Sequence, residues 1–271
     1  MSTSAIPLQP LSADQPVRAG GQGKCAGCRF RELCLPFGLN EDDLNRLDQI
    51  IARRRRVARD EPLYRTGETF HYLHAVHFGH FKTAQVNLRG QQQVTGFQMA
   101  GDMLGLDAIA SGRHSCTAVA LDDAEVCEIP YARLGDLFSQ MPALLQHFHR
   151  ILSQEIMREQ SVMLFLSNMR AEQRFALFLL NLSGRYAARG YAASSFSLRM
   201  SREDIGDYLG LTIESISRLL SRFRRAGWVK VANREVTLLD RAALEALASG
   251  EADDAAERAA AVAGRAQLQA A

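Results

Sequence analysis

The sequence predicts an α+β chain: an N-terminal antiparallel β-roll, one long helix, and a C-terminal winged helix-turn-helix. Three observations predict it. Between about Arg56 and Pro130, short β-favouring runs alternate with glycines at 67, 79, 90, 96, 101, 105 and 112, the texture of an antiparallel barrel or roll. From Pro142 an apolar stripe recurs at three- and four-residue steps for about seven turns. After Arg199, a capped helix, a glycine turn and a second capped helix follow in succession.

The 271 residues suffice for two folded units. A hydrophobic content of 47% supplies their cores. No apolar run is long enough to span a membrane. The opening MSTSAIPLQPLSADQPVRAGGQGK lacks the charged start and apolar stretch of a secretory signal. The expectation is a cytoplasmic protein. Net charge is +2, from 32 basic and 30 acidic residues, so any nucleic-acid signal must lie in their distribution.

The elements follow in order. Residues 1–24 are rich in Pro, Gly, Ser and Gln without an apolar period, and are expected to be disordered. Residues 25–51 hold a cysteine-bearing segment and a helix capped by Asn40, running to about Ile51 with Leu44, Leu47 and Ile51 on one face. The basic run Arg53–Arg56 reads as a solvated helix end. Residues 52–140 form the roll, with strands over Tyr72–Phe78, Phe81–Leu88, Gln93–Gln98 and Ala124–Ile129 and a hairpin around Gly90. Residues 141–170 form the long helix, with Pro142 in its first turn. Leu145, Phe148, Leu152, Ile156, Met163 and Leu166 share its stripe, and Glu159 is the one acidic member. Such a stripe suits a coiled-coil seam against a second copy of the chain, or packing on the chain's own roll. Two copies of Glu159 near a two-fold axis would repel. Residues 171–248 open with an amphipathic helix over Gln173–Arg189 that carries Phe175, Leu179 and Leu182. Residues 249–271 are an Ala-rich tail.

The segment SREDIGDYLGLTIESISRLLSRFRRAGWV carries the most specific signal of the C-terminal half. Ser201 and Asp204 approximate a capping box, and Gly210 suits the left-handed turn that ends a helix. Thr212 caps a second helix whose Ile216, Leu219, Leu220 and Phe223 face inward, while Gly227 ends it. This is a helix-turn-helix. Val229–Val231 and Glu235–Leu238, joined by Ala232–Asn233–Arg234, read as its wing. The first turns of the second helix enter the major groove in such motifs. There Glu214 can accept from cytosine, Ser217 can serve either base, and Arg218 can bond guanine, with Arg222 beyond them. Thr212 stands at the helix N-terminus, suited to a backbone phosphate. Arg199 to Arg234 holds eight basic and four acidic residues. That local excess is larger than the whole chain's, as an electrostatic footprint requires.

Five cysteines are present: Cys25, Cys28, Cys34, Cys116 and Cys127. Three lie in a C-x2-C-x5-C pattern, and thiolates at such spacing favour zinc or an iron–sulfur cluster. A fourth ligand would come from Cys116 or Cys127, and spacing does not choose between the metals. A cupin-like enzyme is the reading from another class. Its metal would need His and carboxylate ligands, but His71, His74, His77 and His80 step by three along a strand and alternate faces.

CAGCRFRELCLPFGLN, TGFQMAGDMLGLDAIASG, CEIP and DIGDYLGLTIESISRLLSRF together resemble the Crp–Fnr family, in its fumarate-and-nitrate-reduction branch. The resemblance runs from about Cys25 to Leu247. It implies a cyclic-nucleotide-binding-like roll, a dimerisation helix and a winged helix-turn-helix. It implies a [4Fe–4S] cluster on Cys25, Cys28, Cys34 and Cys127, the last being the cysteine of CEIP. Cys116, in RHSC, has no counterpart in that pattern. The resemblance further implies an oxygen-responsive homodimeric regulator of anaerobic-metabolism genes. Glu214, Ser217 and Arg218 would read a TTGAT half-site and its inverted repeat. RNA polymerase would be met through loops of the roll, here Val86–Gln93 around Gly90, where Gln91 replaces an acidic residue of the branch. Relatives that hold cyclic AMP use an Arg–Ser pair; His114-Ser115 stands there instead, so no cyclic nucleotide is expected. A zinc-stabilised or cluster-independent regulator of the same fold, answering another signal, is the alternative.

Overall fold

The computed structural model describes residues 25–51, 53–86, 90 and 92–250. The stretch 1–24, the tail from 251 onward and most of the loop tip at 87–91 lie outside the described residues. A 3-10 turn at Cys25–Gly27 and further turns lead into α1 (Glu41–Ile50). Asn40 caps α1, its side chain accepting from the Asp43 N–H at 2.9 Å. The helix buries Leu44, Leu47 and Ile50, and Ile51 is its C-cap.

The roll comprises β1 (Arg53–Val57), β2 (Pro62–Tyr64), β3 (Tyr72–Phe78), β4 (His80–Val86), β5 (Gln92–Met99), β6 (Met103–Leu104), β7 (Thr117–Ala120) and β8 (Ala124–Pro130). They form two four-stranded antiparallel sheets, in the orders β1-β8-β3-β6 and β2-β7-β4-β5. Val57, Leu63, Tyr64, Val76, Phe81, Leu104 and Val126 fill the space between them. β3 is buried on both faces: Val76 points into the roll, while Leu73 and Ala75 join a second core with α1 and the helices that follow.

The basic run Arg53–Arg56 is not a helix end. It is β1, paired with β8 so that Arg53 faces Glu128 and Arg56 faces Glu125. Opposite charges across the ladder explain it: Arg53–Glu128 is 2.7 Å, Arg54–Glu125 3.6 Å and Arg56–Glu125 3.9 Å. Four successive arginines show no period, and their partners lie far along the chain.

After α2 (Tyr131–Gln140), α3 spans Pro142–Asn168. Its expected stripe divides in two. Phe148 is buried in its own domain, its ring 5.1 Å from Phe138, beside the fully buried Leu144. Phe148 therefore does not belong to an outward seam, and Leu145 and Leu152 are half-buried. Further along, α3 exposes Ile156 (54%), Met157 (63%), Met163 (65%) and Leu164 (64%).

The C-terminal unit contains α4 (Ala171–Ala188), β9 (Ser195–Ser197), α5 (Arg202–Leu209), α6 (Ile213–Arg225), β10 (Val229–Ala232), β11 (Glu235–Leu238) and α7 (Arg241–Ser249). β10 and β11 form the wing, with Asn233 left-handed (φ 57°) in its turn. β9 adds a third strand that three residues could not announce. Phe175, Leu179, Ile205, Ile216, Phe223 and Val236 form the core, and Val94, Phe97 and Met99 of β5 join it. The two units are also bound by polar contacts. Asp102 meets Arg185 and Arg189, each at 2.6 Å, and Lys82 meets Asp204 at 2.5 Å.

Candidate DNA-reading face and cysteine centre

The helix pair forms as its caps require. Ser201 accepts from the Asp204 N–H, and Asp204 reaches back to the Ser201 N–H at 2.9 Å, a complete capping box. Gly210 ends α5 in the left-handed conformation (φ 63°). Thr212 accepts from the Ser215 N–H at 3.2 Å and starts α6. Gly206 is required by close approach: a Cβ there would stand 2.6 Å from the Leu211 carbonyl oxygen. Ile216, Leu219, Leu220 and Phe223 are buried. This leaves Glu214, Ser217, Arg218 and Arg222 on the opposite side at helical spacing.

The exposed side chains are already oriented. The Glu214 backbone N–H and the Thr212 hydroxyl hold the Glu214 carboxyl below its ordinary pKa, so it is an acceptor at neutral pH. The Ser217 hydroxyl donates to the Ile213 carbonyl at 2.9 Å and accepts from Arg202 at 3.2 Å. Arg218 reaches Ser215 at 3.5 Å. Arg222 is ion-paired with Glu172 of α4 at 2.7 Å, a partner the sequence did not reveal.

Cys25, Cys28, Cys34 and Cys127 line one pocket with Leu35, Leu47, Ile51, Ala75 and Ile129. Three come from the turns before α1. Cys127 comes from β8, where alternation sends Val126 into the roll and Cys127 outward, opposite Ala75. Cys116 is elsewhere, buried inside the roll with Tyr64 and Asp107. As placed, no three His, Cys, Asp or Glu side chains among the described residues are close enough together to hold a metal ion.

The donor set nevertheless suits a soft metal. Burial, then the side chain of Asp48, pushes the Cys25 thiol up. Burial pushes Cys34 up to about 12. Burial also raises Cys127, with Arg54 beside it opposing. Metal binding at thiols of this kind would release their protons. The pocket wall also holds His77, which sequence reasoning set aside. Its Nδ1 lies 3.8 Å from Cys28 Sγ. The signal was its place in β3, two residues past the partner of Cys127.

The cysteine turns bear directly on α3. His147 Nε2 lies 3.1 Å from the Cys34 carbonyl oxygen, and the His147 ring is 5.0 Å from that of Phe37. They also touch the C-terminal unit: Arg29 reaches the Arg189 carbonyl at 3.4 Å and lies over Tyr191.

A roll of this topology joined through a long helix to a winged helix-turn-helix defines a class of DNA-binding transcription regulators. Residues 54–141 match the cyclic nucleotide-binding domain family, and residues 173–247 match the Crp-like helix-turn-helix domain family. The chain is 43% identical over 86% of its length to the fumarate and nitrate reduction regulatory protein of Salmonella typhimurium, covering 93% of that protein. It is 44% identical over 84% of its length to the anaerobic regulatory protein of Pasteurella multocida, covering 84% of it. Among solved structures, FixK2 from Bradyrhizobium japonicum superposes with a TM-score of 0.66 at 29% identity, over 72% of this chain and 96% of that one. The chain belongs to the Crp–Fnr family, in its fumarate-and-nitrate-reduction branch. It is a transcription regulator and not an enzyme. No helix among the described residues is long and apolar enough to cross a membrane.

Proposed function

We propose that this chain is an oxygen-responsive, cytoplasmic transcription regulator whose DNA-bound form is a homodimer carrying a [4Fe–4S] cluster on Cys25, Cys28, Cys34 and Cys127. The observation that carries the reading is the convergence of those four thiols, from two separate parts of the chain, on one buried apolar pocket. When bound there, a cluster supplies oxygen-labile iron–sulfur bonds. The chain's own residues transmit the difference. The cysteine turns hold α3 through the Cys34 carbonyl, His147 and the Phe37 ring. Where those turns sit therefore biases where α3 sits.

The far half of α3 pairs with a second copy in this reading. Ile156 and Met163, and Met157 and Leu164, are exposed apolar pairs one heptad apart, a spacing suited to a helix seam. Glu159 lies exposed between them and weakens the seam by meeting its own copy. The cluster must favour the paired state by its own differential stability. Pairing sets two α6 helices on an inverted repeat of TTGAT type, with Glu214, Ser217 and Arg218 on base edges and Thr212 and Arg222 on the backbone. The regulated genes are those of anaerobic metabolism. Contact with RNA polymerase runs through the Val86–Gln93 loop, most of whose tip lies outside the described residues.

No cyclic nucleotide takes part. A cavity of about 600 Å³ separates the roll from α3, and Asp107, Glu155 and Glu159 line it. Its Arg158 is paired with Glu155 at 2.5 Å. Such walls oppose a phosphate.

Purification without oxygen followed by assay of iron, acid-labile sulfide and zinc tests the reading. Equal iron and sulfide, visible absorbance that air bleaches, and palindrome binding that falls with it are the expected results. Zinc without sulfide would replace this reading with a zinc-stabilised regulator.

A further inference from the structure

We propose that His77 is a positioning residue of the cysteine centre, donating an N–H hydrogen bond to the Cys28 sulfur and so setting how readily a cluster bound there is oxidised. The proposal rests on the cluster reading above. Apart from the thiols, the polar side chains of the pocket wall among the described residues are Arg54 and His77. Arg54 stands beside Cys127. His77 Nδ1 stands 3.8 Å from Cys28 Sγ, within reach of a long N–H···S bond. Each donor thus serves a different thiol.

The strand builds this placement. Leu73 and Ala75 face the α1 side of β3, and alternation carries His77 to the same side. The ladder slips at this point: Val76 pairs with Val126 and Phe78 with Glu125, leaving His77 as the extra residue. A bulge of this kind re-aims a side chain next to a site. The far edge of the ring faces Glu125, Nε2 to Oε1 at 3.8 Å. Glu125 is itself held by Arg54 and Arg56. In this reading Nδ1 carries the proton and meets Cys28, while Nε2 faces Glu125 beyond hydrogen-bond distance.

Hydrogen bonds to ligand sulfurs are among the terms that set an iron–sulfur potential, and outer partners of metal ligands orient and tune them. A donor on Cys28 draws electron density from the sulfur. Loss of one electron from the bound cluster to dioxygen then becomes harder. Among apolar neighbours such as Leu35 and Ile129, little else dilutes that effect.

The test uses the full chain, purified without oxygen, as wild type, His77→Leu and His77→Asn. Asparagine keeps an N–H donor one bond beyond Cγ, where Nδ1 stood. Iron and sulfide per chain are expected to match in all three. His77→Leu should show a lower midpoint potential and bleach several-fold faster in air, and His77→Asn should restore both towards wild type. Equal potentials and equal bleaching in His77→Leu would overturn the proposal. Should His77→Leu take up no iron, His77→Asn decides: wild-type iron, potential and bleaching uphold the donor role, and lost iron makes His77 a ligand and overturns it. A wild-type chain without iron and sulfide sinks the cluster reading itself and this proposal with it.

Discussion

Cys116 immediately precedes β7 and Cys127 lies in β8, in the two different sheets of the roll, and they face different surroundings. Cys116 is buried against Tyr64 and Asp107, and Cys127 opens towards the three N-terminal cysteines. Cys127→Ser should therefore abolish anaerobic iron uptake, while Cys116→Ser should leave it intact; the opposite pattern, measured as iron per chain, would reassign the fourth ligand. At the other end, Arg218 is exposed on α6 and reaches Ser215 at 3.5 Å, a contact DNA can replace. Arg218→Ala should cost about 1–3 kcal/mol in binding and relax preference at one base pair. Titration against a panel of single-base variants reads this directly, and a uniform loss over all sequences would make Arg218 a backbone contact. The spacing of these α6 residues was legible because helical period and caps are local. The Arg222–Glu172 pair was not, because its partner lies on another helix.

At the scale of elements, α3 is the part where sequence pattern and structure divide most informatively. The stripe through Leu145, Phe148, Leu152, Ile156, Glu159 and Met163 is continuous in sequence, yet Phe148 is buried in its own domain while Ile156, Glu159 and Met163 are exposed. Period alone cannot tell which neighbour a helix face meets; the end of the roll decides that. A seven-residue repeat of exposed apolar side chains was the available sign of the outer seam, and it picks out Met157 and Leu164 as well. Glu159 is the acidic member of the exposed part. Glu159→Ala should yield a dimer that binds the palindrome in air, as measured by sedimentation and by mobility shift. A variant that sediments as a monomer in air would remove charge repulsion from the explanation. His147 links α3 to the cysteine turns, and its pKa is lowered, first by burial. It is therefore neutral at physiological pH and can bond the Cys34 carbonyl through one tautomer. His147→Ala should keep anaerobic iron content but weaken dimerisation and palindrome binding together. Unchanged dimer affinity would mean that the turns reach the helix by another contact.

The whole molecule depends on contacts that no single segment announces. Both folded units were legible, one from its glycine-punctuated strands and one from its caps. The manner in which they join was not, because Arg185 and Arg189, the partners of Asp102, carry no motif and come from distant positions. Burial alone would raise the Asp102 carboxyl, but Arg185 and Arg189 outweigh it and hold the pKa below the ordinary value. A carboxyl lowered on folding contributes stability that is complete above its unfolded pKa and disappears as pH falls through the folded one. The contribution should thus persist down to about pH 4 and fade below it. Arg189 is largely buried, with 6% of its side chain exposed, and it also donates to the Ala100 carbonyl at 2.6 Å. Asp102→Asn would leave its guanidinium without a counter-charge in that place, and such a loss costs about 3–5 kcal/mol. The penalty should fall on the junction between the units and leave their separate cores intact. Limited proteolysis should then cut near residues 168–171 well before either unit is degraded, and the thermal transition should split in two. A single transition at the wild-type temperature would show that the shared apolar core of Phe97, Phe178 and Tyr208 holds the units together without the ion pairs.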